Sequence, residues 1–184
     1  ETTSQINPII NRLQNCSGST LISKRRSWEA MSDIEKLKQE IIQKFGTPCA
    51  VIDLDIVEGN ITHLQALCDN AKLANRPHIK THKSPLLALR QMAAGAIGIT
   101  CQKLGEAEVM ARAGITDILI ATNIIGAARS GKLAALLQDV SLQMCSDNPT
   151  SLHVYAEAGR AAGRPVTVVI ECDTGQKRAG VTTP

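Results

Sequence analysis

Residues 97–122 read IGITCQKLGEAEVMARAGITDILIAT, and this stretch decides the fold. Two short β-rich runs, Ile97–Cys101 and Ile118–Thr122, flank a helical pattern that starts near Gly105 and stops at Gly114. A β-rich run that returns after one helix is the mark of parallel strands joined by a crossover helix. Working outward, the pattern repeats at near-regular intervals. Upstream lie a strand candidate at Pro77–Thr81 and a helix opening at Pro85 behind Ser84. Downstream come a helix near Ala127, a strand at Val140–Cys145, a helix from Pro149 behind Asn148, and a strand at Val166–Cys172. Proline at the first helical position behind Ser or Asn is an N-terminal signature, and Gly114 and Gly163 fit helix stops. Five βα-type units follow. The chain is thus expected to be an α/β protein, a partial (β/α)8 barrel with about five of eight strands, because a closed barrel needs roughly 250 residues. An open, doubly wound sheet of five strands is the alternative that periodicity leaves standing.

Further upstream, Cys49–Asp53 leads into a helix with Ile61, Leu64, Leu67, Cys68 and Ala71 on one face. Met31 opens Ser32-Asp33-Ile34-Glu35, a capping box followed by Ile34, Leu37, Ile41 and Phe45 at helical spacing and a stop at Gly46. Residues 1–30 are rich in Ser, Thr, Asn and Gln without a period. They read as a leader or unstructured segment, with 31–184 as the N-terminal part of the barrel and Met31 a candidate natural start. A basic, Ser/Thr-rich organellar transit peptide is the other reading of 1–30.

Composition excludes several classes. A chain of 184 residues with 43% hydrophobic content and mixed charge can bury a sizeable core. Its longest apolar runs, such as Ile118–Ala121, fall far short of the roughly 20 residues of a membrane span. The net charge of +3 comes largely from Arg12, Lys24, Arg25 and Arg26, and the rest is nearly balanced. With one Trp, one Tyr and one Phe there is no stacking platform for nucleic acid. Six cysteines stand singly (Cys16, Cys49, Cys68, Cys101, Cys145, Cys172), favouring reduced thiols and a cytoplasmic setting.

In either architecture chemistry collects at the C-terminal ends of parallel strands. The residues there are Lys80–Lys83, Cys101–Lys103, Asn123, Ser146–Asp147 and Asp173–Arg178. Strand alternation puts His78, Lys80 and His82 on one face. If that face is the barrel interior, burial and the imidazoles favour a neutral Lys80 amine able to form an imine. A solvated edge strand is the plainer reading, and a metal pair His78/His82 a third, with no further ligand placed nearby. Gly175 and Gly180 bracket a loop that lifts Arg178 over the strand ends, where it suits a phenolate or carboxylate; a turn with a surface arginine reads equally well. Gln102 is a candidate at the same mouth, and Cys101 reads as a buried small hydrophobe. Glu106 and Glu108 read as acids favoured at a helix start.

Three ordered segments carry a resemblance: Arg76-Pro77-His78-Ile79-Lys80-Thr81-His82-Lys83-Ser84, Gly98-Ile99-Thr100-Cys101-Gln102-Lys103-Leu104-Gly105-Glu106-Ala107-Glu108, and Asp173-Thr174-Gly175-Gln176-Lys177-Arg178-Ala179-Gly180-Val181. Together they resemble the N-terminal half of D-threonine aldolases and eukaryotic-type D-serine dehydratases, which share with alanine racemase the fold-type III of pyridoxal 5'-phosphate (PLP) enzymes. The likeness runs from Thr47-Pro48 and Ile52–Asp55 to the last residue. It implies Lys80 as the catalytic Schiff-base lysine, with Lys83 a bystander. It also implies cofactor contacts from His78, from Arg178 beside the phenolic oxygen and from Gln102 near the ring. The sequence departs from the pattern at Lys177, where a small residue is usual, and at Thr174, which is racemase-like.

The resemblance further implies a lyase acting on small D-amino acids. D-threonine aldolase chemistry is the leading expectation; D-serine dehydratase, a non-catalytic PLP carrier and an inactive fragment are the alternatives. It implies a homodimer in the full-length form. It also implies a divalent metal whose ligands, like the phosphate cradle and three further strands, lie in segments not found in this sequence, so no metal ligand is assigned. An unclosed barrel is expected to leave strand edges and apolar faces exposed.

Overall fold

Isoleucines and their β-branched neighbours set the sheet. In a computed structural model that describes residues 28–183, four short strands pair in parallel: β1 (Ile99–Cys101), β2 (Asp117–Ile120), β3 (Ser141–Ser146) and β4 (Thr167–Ile170). Pairing places Cys101 beside Ile120, Ile120 beside Met144 and Met144 beside Val168. That row, with Ile99, Ile118 and Leu142, forms the sheet side of the core. The alternate row, Thr100, Leu119, Gln143 and Thr167, points the other way. Ile99, Ile118 and Ile120 are wholly buried, each stabilising by about 1.5–3 kcal/mol.

The helices are α1 (Trp28–Phe45), α2 (Leu54–Asn70), α3 (Pro85–Ala93), α4 (Leu104–Arg112), α5 (Ser130–Asp139, entered through a 3-10 turn at Ala127–Arg129) and α6 (Pro149–Ala162), and α3 to α6 supply the layer opposing the sheet. Two caps read from sequence are present: Ser84 accepts from the Leu87 N–H and Asn148 from the Ser151 N–H. Gly163 ends α6 in the left-handed region at φ 63°. Leu104, Ala107 and Met110 of α4, Leu133, Leu136 and Leu137 of α5, and Val154, Tyr155 and Ala158 of α6 bury one stripe of each helix in the common core.

The strand order β1-β2-β3-β4 decides between the two architectures. A doubly wound sheet reverses its order at a switch point. Here every crossover steps the same way, and α3, α4, α5 and α6 pack in succession, each on the next. This is the winding of a (β/α) barrel, in part.

Three expectations are corrected. Pro77–Thr81 is not a strand: only His78 bridges Thr100, through Ile79 N–H to Thr100 O (2.9 Å) and Thr100 N–H to Pro77 O (2.8 Å), and the chain then turns as Lys83 N–H bonds Ile79 O (2.8 Å). The stripe foreseen for α2 is not its buried face. Leu64 and Leu67 are exposed, whereas Gln65 is buried, donating to Asp69 and accepting from Asn75. α1 already includes Trp28, so Ser32 lies inside the helix and does not cap it; Trp28-Glu29-Ala30 holds no helix breaker. Among the described residues, those up to Val51 and those from Ile52 onward fall into separate units. Readings of 1–27 as leader, and of Cys16, lie outside the described residues.

Candidate active site

The C-terminal ends of β1 to β4 and the bridge at His78 converge on one rim, where the foreseen residues can be located in turn. Lys80 follows the bridge, in the turn, and its side chain is exposed. The barrel-interior burial invoked for it from strand alternation is therefore not what this chain provides. Its backbone N–H donates to His78 Nδ1 (3.2 Å). With Nδ1 an acceptor, the proton of a neutral ring sits on Nε2, which faces Gln102 Oε1 at 3.2 Å. His78 thus bridges Lys80 and Gln102. The Gln102 carbonyl is occupied, leaving its NH2 as the free end.

Gln102 and Arg178, far apart in sequence, line one small pocket of about 130 Å³ with Ala121, Thr122, Asn123, Glu171 and Ala179. The pocket is polar and lies over the strand ends. His82 is apart from it: Nδ1 accepts from Ser84 N–H (3.0 Å), while Nε2 is shielded from water beside Gln91 with no hydrogen bond closed to it. Burial holds its pKa below the ordinary 6.5, against the smaller opposing pull of its neighbours. His78 and His82 are thus engaged separately, and among the described residues no group of three His, Cys, Asp or Glu could hold a metal.

Lys83 differs from Lys80. Its ammonium pairs with Glu106 Oε1 at 3.3 Å. Glu106 Oε2 accepts the Gln102 N–H (2.8 Å) and, at 3.3 Å, the Lys103 N–H. Burial alone would raise the Glu106 pKa; the Gln102 and Lys103 amides and Lys83 outweigh it and hold it below the usual value. This role was not visible in sequence, where Glu106 reads as a helix-start acid. Its spacing of three from Lys103 is that of a capping box, but lysine is not a recognised partner in that signal.

A second network holds the loop that carries Arg178, on either side of it. Asp147 Oδ1 accepts from Asn123 Nδ2 (2.7 Å) and Asn148 Nδ2 (2.8 Å), and Oδ2 from the Gly180 N–H (2.9 Å). Those donors, led by Asn148 and Gly180, hold its carboxyl below the usual range. Asp173 Oδ1 accepts the N–H groups of Gly175 (2.8 Å) and Lys177 (3.0 Å). Lys177 lies in the left-handed region at φ 53°, where a side chain carries a backbone cost. Beneath, the Tyr155 hydroxyl donates to Cys145 O (2.8 Å) and accepts the Ile124 N–H (3.0 Å). Cys101 is buried in the core, its thiol pushed up to about 12 by burial and then by Glu106, consistent with a packing role.

With this geometry in hand, residues 52–184 match the family of the alanine racemase N-terminal domain. The chain belongs to that family. It is 41% identical over 140 residues to a D-threonine aldolase of Arthrobacter sp, covering 76% of this chain and 37% of that protein. It is 38% identical over 143 residues to a D-threo-3-hydroxyaspartate dehydratase of Delftia sp. (strain HT23), covering 78% and 38%. The crystal structure of D-threonine aldolase from Filomicrobium marinum superposes with a TM-score of 0.71 at 39% identity, covering 73% of this chain and 37% of that one. The chain therefore spans less than two fifths of the length of these relatives. No helix among the described residues is long and apolar enough to cross a membrane, and the five described cysteines are free.

Proposed function

We propose that this chain carries part of the cofactor site of a PLP-dependent lyase acting on β-hydroxy D-amino acids, with Lys80 as the amine that holds the cofactor. The observation that carries the reading is the contrast between two lysines three residues apart: Lys83 is bound to Glu106, and Lys80 is exposed at the strand ends with no ion-pair partner among the described residues. The donor set fits one edge of such a cofactor. Lys80 Nζ would bond its aldehyde carbon, Arg178 would set a fixed cation against its phenolic oxygen, and the Gln102 NH2, aimed by His78, would reach the ring. A pocket of about 130 Å³ is smaller than a complete cofactor site, so these residues account for the ring edge alone. When bound, PLP supplies an electron sink for bonds broken at the substrate's α-carbon.

For the described residues the roles are holding and orienting. His78, its Nδ1 occupied by the Lys80 amide, orients Gln102 and keeps the turn in place. The residues do not supply a metal site, so no step is assigned to one. Retro-aldol cleavage to glycine and an aldehyde is the leading reading, from the aldolase similarity at 41% identity. Dehydration with loss of ammonia is the second, from the dehydratase at 38%.

The test is borohydride reduction of the protein incubated with PLP, followed by peptide mapping. Label on Lys80, lost in Lys80→Ala and kept in Lys83→Ala, supports the assignment; label on Lys83 alone overturns it. Assays on the intact protein then separate the chemistries. Aldehyde from D-threonine marks the aldolase, ammonia from D-serine the dehydratase, and turnover of L-isomers only would sink the reading.

A further inference from the structure

The proposal that Lys80 holds the cofactor leaves a question of selectivity. Two primary amines, Lys80 and Lys83, stand in one short turn, both exposed, and a carbonyl reagent could meet either. We propose that Glu106 makes the choice, acting as a positioning residue that ties down Lys83 and fixes the frame of Lys80, so that only Lys80 presents a free amine. The inference rests on the Lys80 reading and adds a residue to it.

Three observations point to Glu106. Its carboxylate is 11% exposed and divides its two oxygens, Oε1 to Lys83 Nζ and Oε2 to the Gln102 amide at 2.8 Å. A fixed, largely desolvated carboxylate is a better anchor than a mobile surface one, because the ordering cost is already met by the backbone bonds. Next, Lys83 adopts a left-handed backbone at φ 49°. A non-glycine residue stays there only where its surroundings dictate it. Here the turn closed by Lys83 N–H on Ile79 O and the ion pair with Glu106 act on the same residue. Finally, the bonds run on from Glu106 through Gln102 to His78 and the Lys80 amide. One carboxylate thus holds Lys83 by charge and Lys80 by its backbone.

An amine held against a carboxylate must leave it before its lone pair can attack a carbonyl, whereas an unpaired amine need not. Simple helix capping by Glu106 would predict no effect on which lysine reacts. Competitive labelling distinguishes the two. The intact protein, free of PLP, is treated with limiting formaldehyde and cyanoborohydride, and methylation at Lys80 and Lys83 is quantified by peptide mapping. Lys80 is expected to dominate. Glu106→Gln keeps an oxygen for the Gln102 N–H but removes the charge, and should raise the Lys83-to-Lys80 ratio about two- to five-fold, the range a half-exposed ion pair supports. An unchanged ratio in a folded Glu106→Gln protein overturns the proposal. Should that variant not fold, wild-type protein labelled at low salt and in about 1 M salt gives the same reading, since screening of the pair should move the ratio toward Lys83; a salt-independent ratio overturns it too. The PLP label is scored separately. Label on Lys83 alone in wild type would remove the Lys80 assignment, whatever Glu106 does to the methylation ratio.

Discussion

His82 shows how one side chain couples the rim to pH. Burial lowers the pKa of its ring, with Nδ1 satisfied by Ser84 and Nε2 shielded without a partner. The unfolded chain takes up a proton near the ordinary 6.5, the native chain only at lower pH. The stability that His82 contributes is therefore complete above 6.5 and declines as pH falls through the native value. His82→Asn, which keeps an acceptor for the Ser84 N–H, should flatten the fall in melting temperature below pH 6.5; an equal slope in both proteins would show the fall to originate elsewhere. Tyr155 makes a pH-independent counterpart. Tyr155→Phe strands the buried Ile124 N–H and Cys145 carbonyl and should cost about 1–3 kcal/mol in urea unfolding. Neither role was legible. Histidine at position 82 reads as one more member of an alternating face, and that rule holds only while the chain stays extended, which here ends at Ile79.

At the scale of the element, the loop after β4 is built around Gly180. Its φ of +103° excludes other residues, and a Cβ there would meet the Asp173 nitrogen at 2.5 Å and the Cys172 carbonyl carbon at 2.6 Å, both backbone. Gly180→Ala should break the bond to Asp147 and free residues 173–181, and Asp147→Ala should do the same from the other side. Trypsin cleavage after Lys177 or Arg178 is expected to quicken several-fold in both variants, with only a small change in melting temperature. Unchanged cleavage would mean that the Asp147 contact does not hold the loop. The glycine bracket was readable because positive-φ turns leave a local mark. The Asp147 anchor was not, since it joins residues 33 apart. Caps at Ser84 and Asn148 were legible for the same local reason. The α2 face was misread because periodicity finds an apolar stripe without knowing what covers it, and Gln65 is buried through hydrogen bonds to Asp69 and Asn75.

For the molecule as a whole, one face of the sheet packs into the helical core and the other is only partly covered, with Thr100 and Cys145 buried and Leu119 and Gln143 half-buried. Periodicity supplied the alternation of strands and helices but could not tell a reversing order from a progressive one, and the progressive order carries a consequence at β4. Its partner on one side is β3, and no strand among the described residues pairs with its other edge. Val169 and Ile170 are 40% and 53% exposed. Beside them lies an open groove of about 520 Å³ along α6 and β4, lined by Leu152, Pro165, Val166 and Val168. A parallel strand with an unpaired edge and apolar side chains in water is a template for association. The 184-residue chain should therefore bind a hydrophobic dye and self-associate with rising concentration. Val169→Lys together with Ile170→Lys should suppress both while leaving the helical circular-dichroism signal intact, because neither side chain belongs to the core of β1 to β3. Sedimentation at several concentrations checks it. If the double variant associates as readily as the parent, the exposed strand is not the adhesive surface, and the apolar face of α2, with Leu64 and Leu67 in water, becomes the next candidate to charge.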